Sequence, residues 1–458
     1  MAVTPLVILP SFDLKKEKEK ELDPLTIYCL PVSGGGFVAQ LGLLSELFEA
    51  KRILKDNKIQ GSKDYQPDIV LAASGGNVAT YIAMAGDWSP EGILRTALKT
   101  NSSMFLKSWW PENLDFLPTW LLGIFNGSMY RRGCGAGQLF KSLYTTESIQ
   151  RTEIWTGTYD QSNRRAQFFC NLSPHRSQIS SDYFDETSHL YGCMPLKYLS
   201  GDLEKIAIAS IASASIPVLV MEQELDGCEY EDGGTMYASP TTVMASEIYR
   251  LIMGANPHHL RLQREVRASV YKDNSLQASA SSTGSSGSSG QVSQTLRYSV
   301  DKKNEVAEIK AVAPIGTGRI CAMGQRSLRL VYFCAYEMDV PKGQGPASSQ
   351  MSKIPSLAQF IHANILQDRS SAINILYRIC GDESINIQFN HYPKINKRHL
   401  SDILKNLEQQ RHYVMILYPN GGPTISLIRY TPADIEKQID LTRSSYGAYT
   451  WHFPYPKI

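Results

Sequence analysis

The sequence predicts an α/β fold built on a mainly parallel sheet. Three observations carry that reading. Short apolar runs of strand length alternate along the chain with longer runs of helical periodicity. The apolar runs lack a wet face, as in Ile69-Val70-Leu71-Ala72-Ala73, and so suit strands covered on both sides. Two such runs end in glycine-rich turns that open directly into helices, at Ser33-Gly34-Gly35-Gly36 and at Ser74-Gly75-Gly76.

Taken in order, residues 1–24 read as an N-terminal arm. Its apolar stretch is short and broken by Pro5 and Pro10, and the charges follow it, so it is not a signal peptide. The mixed charges from Lys15 to Glu21 suit a solvated arm. Leu25 to Leu30 is the first strand, and Phe37 to Phe48 the helix after the triple glycine. That turn brings bare amides to a helix N-terminus, a ready anion site. No G-K-[ST] follows and G-x-G-x-x-G is not matched, so it is neither a Walker A loop nor a dinucleotide fingerprint. Ile69 to Ala73 is the second strand, and Asn77 to Ala85 continues as a mostly apolar helix.

Asn101 to Tyr130 is dense in Met, Phe, Trp and Leu and is interrupted by Pro111 and Pro118. Two short amphipathic helices fit it. They are read either as core under a loop or as an interfacial cap, with Met104 to Phe125 beside Lys107 meeting a membrane surface. Glu153 to Leu172 alternates as a hairpin turning at Asp160 to Arg164, and Ile206 to Ile211 reads as a strand entering Ser213-Ala214-Ser215-Ile216-Pro217. Residues 276–296, rich in Ser and Gly, form a flexible linker. Beyond it lie strands at Glu305–Val312, Leu328–Ala335, Ile385–Phe389 and Tyr413–Tyr418. Helices are expected at Ser356–Ile365, Ser370–Cys380, Lys397–Gln410 and Pro432–Tyr446. The expected organisation is a core over 25–275 and an α/β part over 297–458 that completes the same domain. A separate C-terminal domain is the alternative.

The totals exclude several classes. A net charge of +2 over 458 residues, with no basic stripe interleaved with aromatics, argues against a nucleic-acid partner. The eight cysteines are scattered singly without C-x-x-C, which argues against a zinc site or redox motif and for a reducing, cytoplasmic compartment. No run of 18 apolar residues marks a transmembrane helix. Neither a metal nor a cofactor is expected.

Strand, serine on a tight turn, then helix is the geometry of a nucleophile elbow. The usual pattern is G-x-S-x-G; here it is Ala72-Ala73-Ser74-Gly75-Gly76. Ser74 is therefore the candidate nucleophile, with Ser33 its rival. The Gly35 and Gly36 amides, joined by Gly75, are placed to hold an oxyanion. None of the nine histidines lies in a turn that composition singles out. Asp232, closing a strand and followed by Gly233-Gly234, is better placed, because a desolvated carboxylate can take a serine proton directly. The plain alternatives are a strand-to-helix turn without chemistry and an ordinary Asp-Gly-Gly loop.

Four blocks in order, Ser33-Gly34-Gly35-Gly36, Ala73-Ser74-Gly75-Gly76, Ser213-Ala214-Ser215-Ile216-Pro217 and Glu231-Asp232-Gly233-Gly234 with Ser239-Pro240 behind, resemble the patatin-like phospholipases. The resemblance covers Leu25 to Pro240. It implies a three-layer α/β/α sandwich and a lipid acyl hydrolase acting on phospholipid or other acyl esters. It also implies a Ser-Asp dyad without histidine: Ser74 as nucleophile, Asp232 as base, Gly34, Gly35 and Gly36 as the oxyanion loop, and Ser213 to Pro217 as a wall beside the dyad. Three positions depart from the family's pattern: Val38 where a basic residue is usual, Ala39 where glycine is common, and Ala72 at the first elbow glycine. Two further readings stand beside an active Ser-Asp hydrolase. One is a catalytically silent fold with a structural or lipid-binding role. The other is a Ser-His-Asp hydrolase using a late histidine such as His391, His399 or His412.

Overall fold

The computed structural model describes residues 23–55, 66–107, 128, 131–132, 135–174, 176–178, 196–217, 220–235, 240–253, 296–301, 306–311, 326–336, 370–421 and 430–454. The Ser/Gly stretch, the Ser356–Ile365 helix and most of the Trp-rich segment lie outside the described residues. The chain divides into two compact units. The smaller comprises Met1–Asp23 and Gly254–Arg326, and its described part is an antiparallel hairpin of Leu296–Asp301 with Val306–Ala311.

The larger unit, Pro24–Met253 with Ser327–Ile458, is built on one eleven-stranded sheet. Its strands are β1 (Leu25–Leu30), β2 (Ile69–Ala73), β3 (Glu153–Asp160), β4 (Arg165–Cys170), β5 (Leu196–Tyr198), β6 (Gln223–Leu225) and β7 (Cys228–Asp232), followed by β8 (Leu328–Phe333), β9 (Gln388–Ile395), β10 (His412–Pro419) and β11 (Tyr446–Phe453). They lie in the order β9-β11-β10-β8-β1-β2-β3-β4-β5, with β7 pairing β3 and β6 pairing β7. The central run β10-β8-β1-β2-β3 is parallel, and antiparallel pairings close both sides. The sheet is thus mixed with a mainly parallel centre.

The described helices of eight residues or more are α1 (Phe37–Leu54), α2 (Gly75–Ala85), α3 (Pro90–Ala97), α4 (Gly135–Leu143), α5 (Leu203–Ser213), α6 (Pro240–Met253), α7 over residues 370–380, α8 (Lys397–Leu407) and α9 (Pro432–Ser444). Strand side chains alternate between two cores, as the two-residue period requires. Tyr28, Leu30, Val70, Ala72, Val331, Phe333 and Met415 face one core, which α1 to α5, α8 and α9 cover. Leu25, Ile27, Cys29, Leu71, Leu330 and Val414 face the other, covered by α6 through Met244, Ile248 and Ile252 and by α7 through Ala372, Ile375 and Ile379. Helices on both faces of the sheet make a three-layer α/β/α sandwich.

Three expectations need correction. Ile206 to Ile211 is not a strand but the middle of α5. Asp202 caps that helix, its carboxylate accepting from the Glu204 and Lys205 amides, and only part of the apolar run faces the core. A short apolar run does not declare its period, and the cap decides it. The strand expected at Ile385–Phe389 starts later: Gly381–Asn386 is a 3-10 turn and β9 begins at Gln388. The last helix stops at Ser444, and Tyr446 opens β11, whose eight residues pair with both β10 and β9.

Ending the chain after Met253 would remove β8 to β11 and leave β1 as a bare apolar edge. We expect such a chain in the insoluble fraction. A soluble monomer on size-exclusion chromatography would contradict this account of the sheet.

Candidate active site

Ser74 follows β2 and caps α2 with φ 53° and ψ −130°. A positive φ on a residue with a Cβ costs about 1–3 kcal/mol and persists only where its surroundings enforce it. Two close approaches enforce it here. A Cβ on Gly75 would lie 2.3 Å from the Gly34 carbonyl oxygen, and one on Gly76 would lie 2.1 Å from that of Leu30. The exit of β1 and the glycine loop therefore rest directly on the elbow. The Ser74 amide donates to Ser213 Oγ at 3.0 Å, and that hydroxyl donates to the Gly157 carbonyl on β3 at 2.7 Å.

Strand register brings the second residue level with the first. Ala73 on β2 pairs with Gly157 on β3, and the next β3 residue, Thr158, pairs with Asp232 at the end of β7. Ser74 Oγ donates to Asp232 Oδ2 at 2.5 Å. Asp232 Oδ1 accepts from the Gly234 amide at 2.7 Å, and the Asp232 amide donates to the Ser215 carbonyl at 3.0 Å. Ser74 and Asp232 are only 2% and 3% exposed. Burial pushes the Asp232 carboxyl up from 3.8 to about 7. The hydrogen bonds from Ser74 and Gly234 pull it back in part, while the Glu231 charge adds a small upward push.

Gly34, Gly35 and Gly36 form a single 3-10 turn, with Gly34 at φ 50°. The Gly36 amide donates back to the Ser33 carbonyl at 2.8 Å, and the Phe37 amide to that of Gly34. Among the described residues, the amides of Gly34, Gly35 and Gly75 have no acceptor, so in this conformation they are the free donors and Gly36 is not. Ser33 Oγ is committed to Gln40 Oε1 at 2.9 Å.

The late histidines sit elsewhere in hydrogen-bonded or surface roles. His412 Nδ1 accepts from the Leu328 amide, and burial pushes its imidazole down to about 3. His391 Nε2 pairs with the Tyr418 hydroxyl on the β9 side of the sheet, and His399 is exposed in α8. Beside Ser74 and Asp232 lies an apolar cavity of about 90 Å³, lined by Val78, Ile82, Leu139, Phe140, Ile211 and Val220. Asn77 and Ser215 also line it; the first lies one helical turn from Ser74 and the second bonds Asp232. Among the described residues, no group of His, Cys, Asp and Glu could hold a metal ion, and no helix is long and apolar enough to cross a membrane.

Residues 30–245 match the family model of the patatin-like phospholipases. The chain carries a patatin-like phospholipase domain. That family is one of lipid acyl hydrolases. No curated protein matches the chain. Within the patatin-like domain, reading the sequence missed the partners that hold the elbow. Ser213 and Ser215 stand in a block marked only as a wall, and nothing local shows that one would meet the Ser74 amide and the other the Asp232 amide. Asn77 read only as a helix start, yet its Oδ1 accepts from Thr156 Oγ1 at 3.0 Å.

The raised Asp232 carboxyl has a stability signature. Its folded value, about 7, lies above the ordinary 3.8, so its contribution is full below 3.8 and is lost as pH rises through about 7. At about 1.4 kcal/mol per pH unit, the loss amounts to ~4 kcal/mol at most. Asp232→Asn should remove this dependence and gain stability over wild type between pH 5 and pH 8 in urea titrations. Parallel pH profiles for the two proteins would show that Asp232 is not desolvated.

Proposed function

We propose that the protein is a serine-type lipid acyl hydrolase, acting on phospholipid or another acyl-ester lipid through a Ser74–Asp232 dyad. The observation that carries this is the Ser74 Oγ to Asp232 Oδ2 hydrogen bond of 2.5 Å, made by a serine held at φ 53°. Asp232 takes the hydroxyl proton as Ser74 Oγ attacks the ester carbonyl. The carbonyl oxygen becomes an oxyanion facing the Gly34, Gly35 and Gly75 amides, at the N-terminus of α2. The alcohol or lysolipid leaves with the proton returned by Asp232. Water, deprotonated by the same carboxylate, then releases the fatty acid and restores the Ser74 hydroxyl. A base whose carboxyl titrates at about 7 matches neutral pH, where proton transfer in both directions is accessible.

The apolar cavity beside Ser215 and Asn77 supports an acyl chain as the group held near the dyad. Among the described residues, Cys29, Cys170, Cys228, Cys334 and Cys380 form no disulfide, which fits a reducing, cytoplasmic compartment. We place the lipid-facing surface at Met104 to Phe125, on the composition of that segment.

A fluorophosphonate should label Ser74, and Ser74→Ala and Asp232→Asn should each lower kcat at least about 1,000-fold while the fold survives. The wild-type rate should rise with pH about a midpoint near 7, because the base must be ionised. Labelling elsewhere, or a histidine variant as damaging as Ser74→Ala, would defeat the dyad. Filling the cavity with Val78→Phe should lower kcat/KM for an octanoyl ester about tenfold and leave an acetyl ester within about twofold, a difference of ~1 kcal/mol. Equal effects on the two esters would remove the acyl chain from that cavity.

A further inference from the structure

The free amides of the glycine loop are aimed by residues that lie outside the loop itself. The Ser33 carbonyl accepts twice: from the Gly36 amide at 2.8 Å and from the Tyr336 hydroxyl at 2.8 Å. A trans peptide is planar, so its C=O and N–H point in opposite directions. Fixing the Ser33 carbonyl from both donors therefore fixes the direction of the Gly34 N–H. Gly34 in turn lies against the elbow, its nitrogen 3.0 Å from where a Gly75 Cβ would stand.

Gln40 holds the residues that flank this peptide. It is fully buried in the first turn of α1, and every hydrogen-bonding group of its amide is engaged. Oε1 accepts from Ser33 Oγ at 2.9 Å, and Nε2 donates to the Pro31 carbonyl at 3.1 Å and the Phe333 carbonyl at 3.0 Å. An amide at a core position that an apolar side chain could fill is a costly choice unless its bonds specify a geometry. The three bonds tie the exit of β1, the residue before the glycines and the end of β8 into one unit. Ala335 packs against the loop as well, with its Cβ 2.7 Å from where a Gly36 Cβ would lie. Desolvation pushes the Tyr336 phenol up to about 12, so it remains a donor across the working pH range.

We propose that Tyr336 and Gln40 are positioning residues that aim the Gly34 amide at the oxyanion, so that a segment beyond residues 30–245 completes the catalytic device. The proposal rests on the acyl-hydrolase reading. It extends that reading, because Phe333 to Tyr336, at the end of β8 and just after it, lie outside the patatin-like domain.

Tyr336→Phe tests it, since the change deletes one hydroxyl and keeps the ring. A direct oxyanion donor is worth about 100- to 1,000-fold in kcat, and a misaimed one should cost about tenfold or more. KM should move less than about twofold, and the melting temperature should stay within about 2 °C. The decisive readout is the ratio of kcat/KM for an oxoester to that for the matching thionoester. Sulfur accepts amide hydrogen bonds poorly, so wild type should favour the oxoester strongly and Tyr336→Phe much less. Gln40→Leu should lower the ratio further, and Gln40→Glu, which keeps the acceptor for Ser33, should recover part of it. A loss that falls equally on both esters, or no loss, would make Tyr336 a packing residue and overturn the proposal while leaving the dyad intact. Wild type without ester turnover or fluorophosphonate labelling would overturn the acyl-hydrolase reading and this proposal with it.

Discussion

A carboxylate sealed from water against a serine hydroxyl is the constraint on which this site depends. Asp232 is held at the end of β7 by its backbone, and its two oxygens meet a serine hydroxyl and one backbone amide. Neither partner carries a full charge. Burial disfavours the ionised form more than these two bonds favour it, and the carboxyl rises to about 7. The same burial that makes the charged group costly to hold gives it affinity for a proton. A salt bridge at this position would lower the carboxyl and remove the property.

The rest of the larger unit reads as the means of holding that pair together. The elbow is strained, and the strain is opposed by bare backbone contacts with Leu30 and Gly34 that leave no room for a Cβ. Those contacts need β1 and β2 side by side, which the parallel register from Ile27 to Leu30 provides. They also need β3 to carry both Gly157, which anchors Ser213, and Thr158, which pairs with Asp232. Three strands and two turns thus converge on one level of the sheet, at the carboxyl ends of its central strands, where open α/β sheets place their ligands.

The second half of the larger unit is more than an extension of the sheet. β8 lies directly beside β1; the Phe333 carbonyl at its end holds Gln40, and the residues after it reach the glycine loop through the Ala335 methyl and the Tyr336 hydroxyl. Glu46 in α1 adds a further tie, accepting from Arg443 in α9 and from the Tyr446 hydroxyl at the start of β11. The helix that opens at the glycine loop is thereby tied at its first turn and at its middle to residues from the C-terminal half. Packing of this kind keeps the loop from relaxing independently of the sheet.

The sequence by itself determined what depends on neighbours along the chain. The apolar runs declared β1, β2, β8 and β10, because strands covered on both faces leave no polar positions. The small residues at Gly34 to Gly36 and Ser74 to Gly76 declared both tight turns, because the close approach of backbone at Gly75 and Gly76 leaves no room for a Cβ. Asp232 stood out through its place between a strand and two glycines. Where local signals conflicted, the reading failed: the Ile-rich run of α5 took its form from the Asp202 cap and its core contacts, and β11 followed a helix without a punctuating glycine or proline. Only the tertiary structure decided which groups meet. Ser74 and Asp232 are 158 residues apart, Ser74 and Ser213 are 139 apart, and Tyr336 lies 303 residues from Ser33. Such hydrogen bonds leave no periodicity and no composition signal. They exist because strand order and register set distant segments at the same height, and neither is written in any one stretch of the chain.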